Sequence, residues 1–262
     1  MNKIILLGHQ IDTRTAEEII SAVISTARPT RILQINPEIM VALHNQNQSQ
    51  LVKNVDIFAP NGVGIQWAAA YKQKPSFGYL LKTFLWIFLR RDKLKEPLSE
   101  RFTSSNFTWP LLETLAKRKT DSKIIIAGSP KKGNIESTAS HLRKLGQNLH
   151  IISFDTTNFN AIKHSQLVKL AKQEQPDLIL LGIGYPAQEQ VASSLRDKLT
   201  KGIIITEGGT FDYQQFGGQI KRAPLGWQNN GLEWLWRLLQ EPIRIKRQIA
   251  LLKFVFLVYK SK

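Results

Sequence analysis

Short apolar runs alternate with longer segments of helical pattern along most of this chain. Seven apolar runs predict strands, at residues 3–7, 31–35, 55–58, 123–127, 149–153, 177–183 and 202–206. Helices are predicted between them, at residues 15–27, 37–45, 134–145 and 161–173. Strands that alternate with helices are typical of βαβ units. We therefore predict an α/β fold with a mostly parallel sheet, in which ligands bind beyond the carboxyl ends of the strands.

Two longer apolar stretches, residues 77–89 and 249–259, each contain a lysine. Both fall short of the roughly 20 residues that a membrane-spanning helix needs. Basic residues directly follow the first stretch, at Arg90, Arg91, Lys93 and Lys95. Each stretch is therefore predicted to form either a buried or partner-packed helix or a helix that lies in a membrane interface. The apolar run at residues 4–7 is too short for the hydrophobic region of a signal peptide, and we interpret it as the first strand.

The 262-residue chain has no cysteine, which excludes disulfide scaffolds, thiolate zinc sites and cysteine nucleophiles. Its five histidines show neither H-x-x-x-H nor H-x-H spacing, and the sequence has no G-x-S-x-G segment. We therefore predict no metal site, no cofactor and no hydrolase of the nucleophile-elbow type. The net charge of +16 predicts an anionic partner, which is nucleic acid, an acidic lipid surface or a phosphorylated substrate.

Glycines at the ends of three predicted strands are candidates for substrate binding. They are Gly128 followed by Ser129, Gly182 with Gly184, and Gly208 with Gly209. A helix N-terminus behind a glycine turn presents free N–H groups to an anion, so each of these turns is suited to a phosphate. The alternative is that each glycine serves only the turn. None of the three segments completes a Walker or a G-x-G-x-x-G motif.

Polar residues beside such turns are further candidates. Gln188 and Glu189 fall in the first helical turn after a predicted strand, where their side chains point back toward the strand ends. A glutamate in that turn would equally complement the helix dipole. Asn36 follows another strand and is either a site residue or a helix cap. Asn61 and Gly62 have the composition of a turn, and a binding role is the alternative.

The C-terminal segment, residues 221–262, has nine basic and two acidic residues, an excess of +7. Its aromatic residues are Trp227, Trp234, Trp236, Phe254, Phe256 and Tyr259. This basic and aromatic mixture suits a lipid headgroup interface. Arg237 and Arg244 are close to two helical turns apart, and guanidinium groups chelate the oxygens of a diphosphate. The alternative is a solvated basic helix whose tryptophans pack on the core.

Several motifs together carry a family resemblance. They are INPE at residues 35–38, NGVG at 61–64, GIGYPAQE at 182–189, GGTFD at 208–212, and RAPLGWQNNGLEWLWRLLQEPIRIKRQ at 222–248. From about residue 33 to residue 247 the chain resembles the WecG/TagA/CpsF glycosyltransferases, also called glycosyltransferase family 26. The resemblance implies a Rossmann-like core, residues 1–218, and a basic helical C-terminal appendage, residues 219–262, that works at the membrane.

The resemblance also implies an activity and a location. Such bacterial enzymes move a sugar, commonly N-acetylmannosamine, from a UDP-sugar donor to a polyprenyl-diphosphate-linked acceptor during synthesis of cell-surface polysaccharides. A family member would be cytoplasmic and peripheral to the inner face of the plasma membrane. An anionic membrane surface is therefore an expected partner.

Individual residues acquire roles from the resemblance. By position, the appendage would bring arginines to the active site, at Arg222, Arg237, Arg244 and Arg247. Gln188 and Glu189 match a Pro-Lys-Gln-Glu element in which an alanine replaces the lysine. Asn36 matches a Thr-x-Asn element in which Gln34 replaces the threonine. Arg101 belongs to a Glu-Arg pair that the family also has, and it would contact the donor diphosphate. Residues 78–96 look inserted relative to the family.

Two acidic positions of the family are amides in this chain. Asn61 stands where relatives have an aspartate that is the proposed general base, and Asn106 replaces a second aspartate. An amide cannot accept a proton at neutral pH. The resemblance thus implies a transferase in which Asn61, Arg237, Arg244 and Arg247 are catalytic and Arg222 binds substrate. Two alternatives remain beside it.

The first alternative is a catalytically impaired protein that binds UDP-sugar or lipid-linked sugar. The second is a nucleic-acid-binding protein. Because no recognised nucleic-acid motif accompanies the positive charge, we predict that nucleic acid is not a partner. The sequence leaves open whether the protein is a homo-oligomer.

Overall fold

An eight-stranded sheet forms the centre of the protein in a computed structural model, which describes residues 2–44, 46–131, 133–229, 232–242 and 245–261. The strands are β1 Lys3–Leu6, β2 His9–Asp12, β3 Thr30–Ile35, β4 Ile57–Pro60, β5 Ser122–Gly128, β6 Leu149–Asp155, β7 Leu178–Gly182 and β8 Ile203–Thr206. Their spatial order is β1-β2-β4-β3-β8-β7-β5-β6. Only the pair β1 and β2 is antiparallel within the described sheet. The predicted α/β fold with a mostly parallel sheet is confirmed.

Helices cover the sheet and fill the connections between strands. They are α1 Ala16–Ile24, α2 Pro37–His44, α3 Val63–Lys72, α4 Phe77–Leu89, α5 Trp109–Ala116, α6 Ile135–Leu142, α7 Ala161–Glu174, α8 Ala187–Arg196, α9 Leu225–Asn229, α10 Glu233–Gln240 and α11 Ile245–Lys260. The four predicted helices correspond to α1, α2, α6 and α7. The two long apolar stretches form α4 and part of α11, so both are helical.

The first hairpin is the main departure from the predicted elements. Strand β2 follows β1 through Leu7 and Gly8, which have φ values of 48° and 84°. The sequence pattern predicted only the first of these strands. The strand predicted at residues 55–58 is shifted by two residues to β4, and the bounds of the other predicted strands differ by one or two residues.

The buried core divides between the two faces of the sheet because successive strand residues point to opposite sides. In β5, Ile124 and Ile126 pack in one apolar cluster, while Ile125 and Ala127 pack in another on the opposite face. The same alternation holds in β7 and β8. Both faces of the central strands are therefore covered, which explains why these strands are continuous apolar runs in the sequence.

The C-terminal helix α11 is part of this core. Phe254 and Val258 are buried in the cluster that contains Trp67 and Tyr71 of α3. The ring of Phe254 meets that of Trp67 edge-on, with the ring centres 6.4 Å apart. The end of the basic segment therefore packs against the sheet-covering helices, and its removal would uncover apolar surface. The predicted boundary at residues 218 and 219 stays a prediction.

Candidate active site

Most of the predicted site residues lie at the carboxyl ends of β4, β3, β8 and β7, which are neighbours in the sheet. Two cavities open at this edge, with volumes of about 380 Å³ and about 180 Å³. The larger is called the glycine cavity and is lined among others by Asn36, Ser129, Gly182, Gly184, Gln188 and Gly208. The smaller is called the polar cavity and is lined among others by Gln34, Asn61, Glu207, Arg222, Glu233 and Arg237. Gly209 lines both, so the two cavities adjoin.

Gln188 connects two of the glycine loops. Its side chain is buried, and its Oε1 accepts hydrogen bonds from the backbone N–H of Gly184 at 3.1 Å and of Gly208 at 3.2 Å. Both glycines have positive φ values, 98° and 58°, which disfavour any side chain at these positions. The two N–H groups therefore hold Gln188 rather than an anion. Gln188 fixes the shape of the glycine cavity.

Gly128 and Gly182 have a packing role that the sequence did not reveal. A Cβ atom on either would lie 2.5 Å or 2.6 Å from the ring of Phe211. Only glycine lets this buried ring lie across the ends of β5 and β7. A phosphate contact at these two glycines stays a prediction, and the ring contact explains their identity by itself.

Glu189 lines neither cavity and forms a fully buried ion pair, while its Oε1 accepts a hydrogen bond from Nε2 of Gln188 at 3.1 Å. Its Oε2 accepts a hydrogen bond from Nη2 of Arg31 at 2.8 Å, and both side chains have no exposed surface. Nη1 of Arg31 donates to Oδ1 of Asn54 at 2.5 Å, and Nη2 also donates to the Leu51 carbonyl at 2.7 Å. Burial lowers the pKa of Arg31, and Glu189 opposes this shift. These contacts give Glu189 a structural role, and its contact with substrate stays a prediction.

Asn36 caps helix α2 at the border of the glycine cavity, and its contact with substrate stays a prediction. Its Oδ1 accepts a hydrogen bond from the backbone N–H of Ile39 at 2.9 Å, in the first turn of α2, and the residue also lines the glycine cavity. Gly62, with φ 89°, precedes α3 next to Asn61. Ser129 shares a hydrogen bond of 2.9 Å with the hydroxyl of Thr157.

Two predicted arginines reach the polar cavity from the C-terminal segment. Nη2 of Arg237 lies 3.3 Å from Oδ2 of Asp212, and its guanidinium carbon lies 4.6 Å from the centre of the Tyr213 ring. Its Nε is buried and has no hydrogen-bond partner among the described residues. Nε of Arg222 lies 2.9 Å from Oε1 of Glu233. Arg244 and the side chain of Arg247 lie outside the described residues.

Arg101 lies next to the polar cavity, in a wider groove of about 950 Å³ that Arg91 and Lys95 also line. Nη2 of Arg101 and Nη1 of Arg91 both lie 3.4 Å from the carbonyl oxygen of Gln228. Burial and the nearby Arg101 lower the pKa of Arg91 to about 10. Burial also lowers the pKa of Arg101. Two half-buried guanidinium groups thus face one carbonyl, an arrangement that an anion would stabilise.

Glu207, the residue that follows β8, was not predicted from the sequence. Its Oε1 accepts hydrogen bonds from Nε2 of Gln34 at 3.2 Å and from the hydroxyl of Thr108. Its Oε2 accepts from the hydroxyl of Thr210 at 2.7 Å. Nδ2 of Asn61 in turn donates to Oε1 of Gln34 at 3.1 Å, so an amide connects Asn61 to the Glu207 carboxylate. The available signal was an acidic residue directly after an apolar strand.

A family model provides the comparison that decides the identity. The glycosyl transferase WecG/TagA/CpsF family model matches residues 84–262, about two thirds of the chain. The chain belongs to this family. It is therefore a glycosyltransferase of cell-surface polysaccharide synthesis. The matched region contains Gln188, Glu207, Arg222 and Arg237, whereas Asn61 precedes it.

The second amide departure from the WecG/TagA/CpsF pattern has a local explanation. Oδ1 of Asn106 accepts hydrogen bonds from the backbone N–H of Thr103 at 2.7 Å and from its hydroxyl at 2.8 Å. Nδ2 of Asn106 donates to the Arg101 carbonyl at 2.6 Å, which a carboxylate could not do. The amide therefore shapes the turn that carries Arg101. Among the described residues, no group of three or more histidine, aspartate or glutamate side chains is arranged to hold a metal ion.

Proposed function

We propose that this WecG/TagA/CpsF glycosyltransferase transfers N-acetylmannosamine or a related hexose from a UDP-sugar to a polyprenyl-diphosphate-linked acceptor. The observation that carries the proposal is the junction of the two cavities at Gly209. One cavity has the size and glycine-lined surface for a nucleotide, and the other brings two arginines to the point where the diphosphate would leave. Ligands of parallel sheets bind at this edge.

The arginines supply the electrostatic part of the proposed chemistry. A departing UDP carries two phosphate groups whose negative charge increases as the bond to the sugar breaks. Arg237 lines the polar cavity, so its guanidinium charge faces the position of a diphosphate oxygen. Fixed cations that face a developing anion are commonly the largest contribution to catalysis. Arg222 lines the same cavity and would share this role.

The groove shared by Arg91 and Arg101 suits the diphosphate of the lipid-linked acceptor, whereas the family resemblance assigned Arg101 to the donor diphosphate. Both guanidinium groups are partly buried and close enough to lower the pKa of Arg91. Arg91 also follows α4 within two residues, so the groove begins beside an exposed apolar helix. An acceptor whose lipid remains in the membrane would thereby present its sugar to the polar cavity.

An apolar surface of two helices supports work at a membrane. It is called the apolar face and consists of the exposed side chains of Leu81, Leu85, Phe88, Leu89, Leu252 and Phe256. Those on each helix recur at intervals of three or four residues, which places them on one side of that helix. Trp67 contacts both α4, through Phe84, and α11, through Phe254, so the two helices pack against the same residue.

Exposed basic residues accompany the apolar face, as expected for binding to anionic headgroups. They are Lys82, Arg90, Lys93, Lys95, Lys253 and Lys260. Across the described residues, the helices do not reach the combined length and apolarity that spanning a bilayer requires. We propose peripheral attachment to the inner face of the bacterial plasma membrane through this face.

Replacing Leu85 and Leu252 with glutamate should weaken binding to phosphatidylglycerol vesicles at least about tenfold, because each change removes the burial of a leucine and adds a repelled charge. Sedimentation with vesicles measures this binding. Ile162→Glu is the matched control, since Ile162 is 68% exposed but lies on α7. Equal vesicle binding by wild type and the double variant would exclude the apolar face as the attachment surface.

A binding panel with UDP, short duplex DNA and anionic vesicles tests the proposed function. The protein should bind UDP without added divalent cation and should bind anionic vesicles. Its binding to DNA should disappear at moderate salt, where non-specific contacts with phosphate weaken. Tight binding of DNA without binding of UDP would overturn the proposal.

The substitution Gln188→Ala should weaken UDP binding by about 10–100-fold, because two buried N–H groups that fix the glycine cavity lose their acceptor. Calorimetric titration with UDP measures this, with a melting curve to confirm folding. Gln190→Ala, an exposed neighbour on α8, should leave the affinity unchanged. Undiminished UDP affinity in the Gln188 variant would place the nucleotide elsewhere.

A further inference from the structure

The polar cavity contains a carboxylate that the proposed chemistry has not used. Two glutamates line this cavity, Glu207 and Glu233. Glu233 forms an ion pair of 2.9 Å with Arg222, so its carboxylate is already engaged by a cation. Among the described residues, the hydrogen-bond donors that reach Glu207 are uncharged: the hydroxyls of Thr108, Thr210 and Ser104 and the amide of Gln34. Glu207 is therefore the carboxylate of this cavity that is held by neutral groups rather than by a cation.

The neighbouring amide cannot do the work of a base. Asn61 lines the same cavity, but its side chain has no site that accepts a proton at neutral pH. Its Nδ2 donates to Gln34, and Nε2 of Gln34 donates to Glu207, at 3.1 Å and 3.2 Å. This directed chain of hydrogen bonds requires an N–H donor at position 61 and an acceptor oxygen at position 207. Asn61 and Glu207 are therefore held in place by the same hydrogen bonds through Gln34.

We propose that the Glu207 carboxylate is the general base of the transfer reaction and that Asn61 and Gln34 orient it. The inference rests on the proposed function, since it assigns the proton acceptor for that reaction. In the step, the acceptor hydroxyl gives its proton to a carboxylate oxygen of Glu207. At the same time the hydroxyl oxygen of the acceptor bonds to the anomeric carbon of the donor sugar. The bond from that carbon to the diphosphate oxygen breaks, and UDP leaves with the electron pair. Glu207 then releases the proton to solvent.

The surroundings of Glu207 favour this role. Burial raises the pKa of its carboxyl group, while the hydroxyls of Thr108, Thr210 and Ser104 oppose the shift. A base is most effective when its pKa lies closer to the working pH. The charged groups that line the same cavity are Arg222, Glu233 and Arg237, and Tyr213 is the other titratable group there.

The decisive variant is Glu207→Gln, which keeps the size of the side chain. Its hydrogen bonds are also kept, because the neighbouring threonine hydroxyls can donate to the amide oxygen and accept from the amide N–H. We expect kcat for transfer to fall by about 10²–10⁴-fold, the usual contribution of a general base. UDP affinity and melting temperature should stay close to those of wild type. In the double variant Glu207→Gln with Asn61→Asp, a carboxylate returns to the same cavity, and at least tenfold of the lost rate should return. Full activity of Glu207→Gln would overturn the inference.

The pH profile of the wild-type enzyme tests the same assignment without any substitution. Only the deprotonated carboxylate accepts a proton, so kcat should fall as the pH decreases through the pKa of Glu207. Because that pKa is raised, the fall should begin at higher pH than for an ordinary glutamate. A kcat that stays constant down to the ordinary glutamate pKa, about 4.3, would contradict the inference. If the wild-type enzyme transferred sugar from no donor at all, the proposed function itself would be refuted. Failure of the Glu207 assignment and failure of the proposed function are therefore distinguishable.

Discussion

Replacing Arg237 with alanine is expected to lower kcat for sugar transfer by about 10²–10³-fold, the usual effect of removing one preorganised donor to a developing negative charge. The guanidinium lies in the polar cavity between Asp212 and Tyr213, with its Nε buried and without a partner among the described residues. Arg237→Lys should restore little, because an ammonium group cannot form the bidentate contact. Steady-state transfer kinetics with saturating UDP-sugar measure the effect.

The control for Arg237 is Arg28→Ala. Arg28 is 69% exposed and precedes β3, at the opposite edge of the sheet from the cavities. This variant should keep the wild-type kcat within about twofold, since exposed ion pairs contribute little. If Arg237→Ala raised only KM and left kcat intact, the arginine would bind the donor equally in the ground state and the transition state. That result would contradict its role in stabilising the leaving group.

Glu189→Ala should lower the free energy of unfolding by about 3–5 kcal/mol, because it leaves the Arg31 guanidinium buried without its counter-charge. Denaturant unfolding measures this loss. Replacing the pair together, Arg31→Met with Glu189→Leu, should recover much of it, since an apolar pair avoids the buried charge. The matched control is Glu174→Ala, which breaks the half-exposed ion pair with Lys123 and should cost less than about 1 kcal/mol.

The same variant separates two roles for Glu189. A structural role predicts a destabilised protein whose UDP affinity falls no further than that of Gln188→Ala, because Oε1 of Glu189 accepts a hydrogen bond from Nε2 of Gln188. A role in substrate binding predicts normal stability and lost UDP affinity. The second pattern would contradict the assignment of Glu189 to the core.

The fold was predictable because the central strands are buried on both faces. Residues such as Ile124 to Ala127 form continuous apolar runs, and runs of that kind between helical segments predict a parallel sheet. Strand β2 was missed because its four residues, His9–Asp12, are mixed in polarity, and it is defined by pairing with β1 through the turn at Gly8 and with β4 at Ile11. Pairing between strands, not local pattern, makes it a strand.

The candidate site was predictable to the level of the sheet edge, and less so for individual side chains. Gln188 and Glu189 are adjacent in sequence, yet one shapes a cavity and the other neutralises Arg31 in the core. Helix α8 turns their side chains about 100° apart, and no sequence pattern says which side faces the ligand. Glu207 was missed because its role depends on contacts with Thr108 and Gln34, which lie far from it in the sequence.

Transfer to a lipid-linked acceptor is the most direct test of the central claim that the two cavities form a catalytic site. Wild-type enzyme on anionic vesicles is mixed with each member of a UDP-sugar panel and a polyprenyl-diphosphate-GlcNAc analogue, and UDP release is followed together with the glycosylated lipid. We predict that one donor gives one UDP for each sugar transferred, with no release when the acceptor is omitted. Saturable binding of UDP-sugar with neither product across the whole panel would contradict the account and identify the protein as a non-catalytic binder.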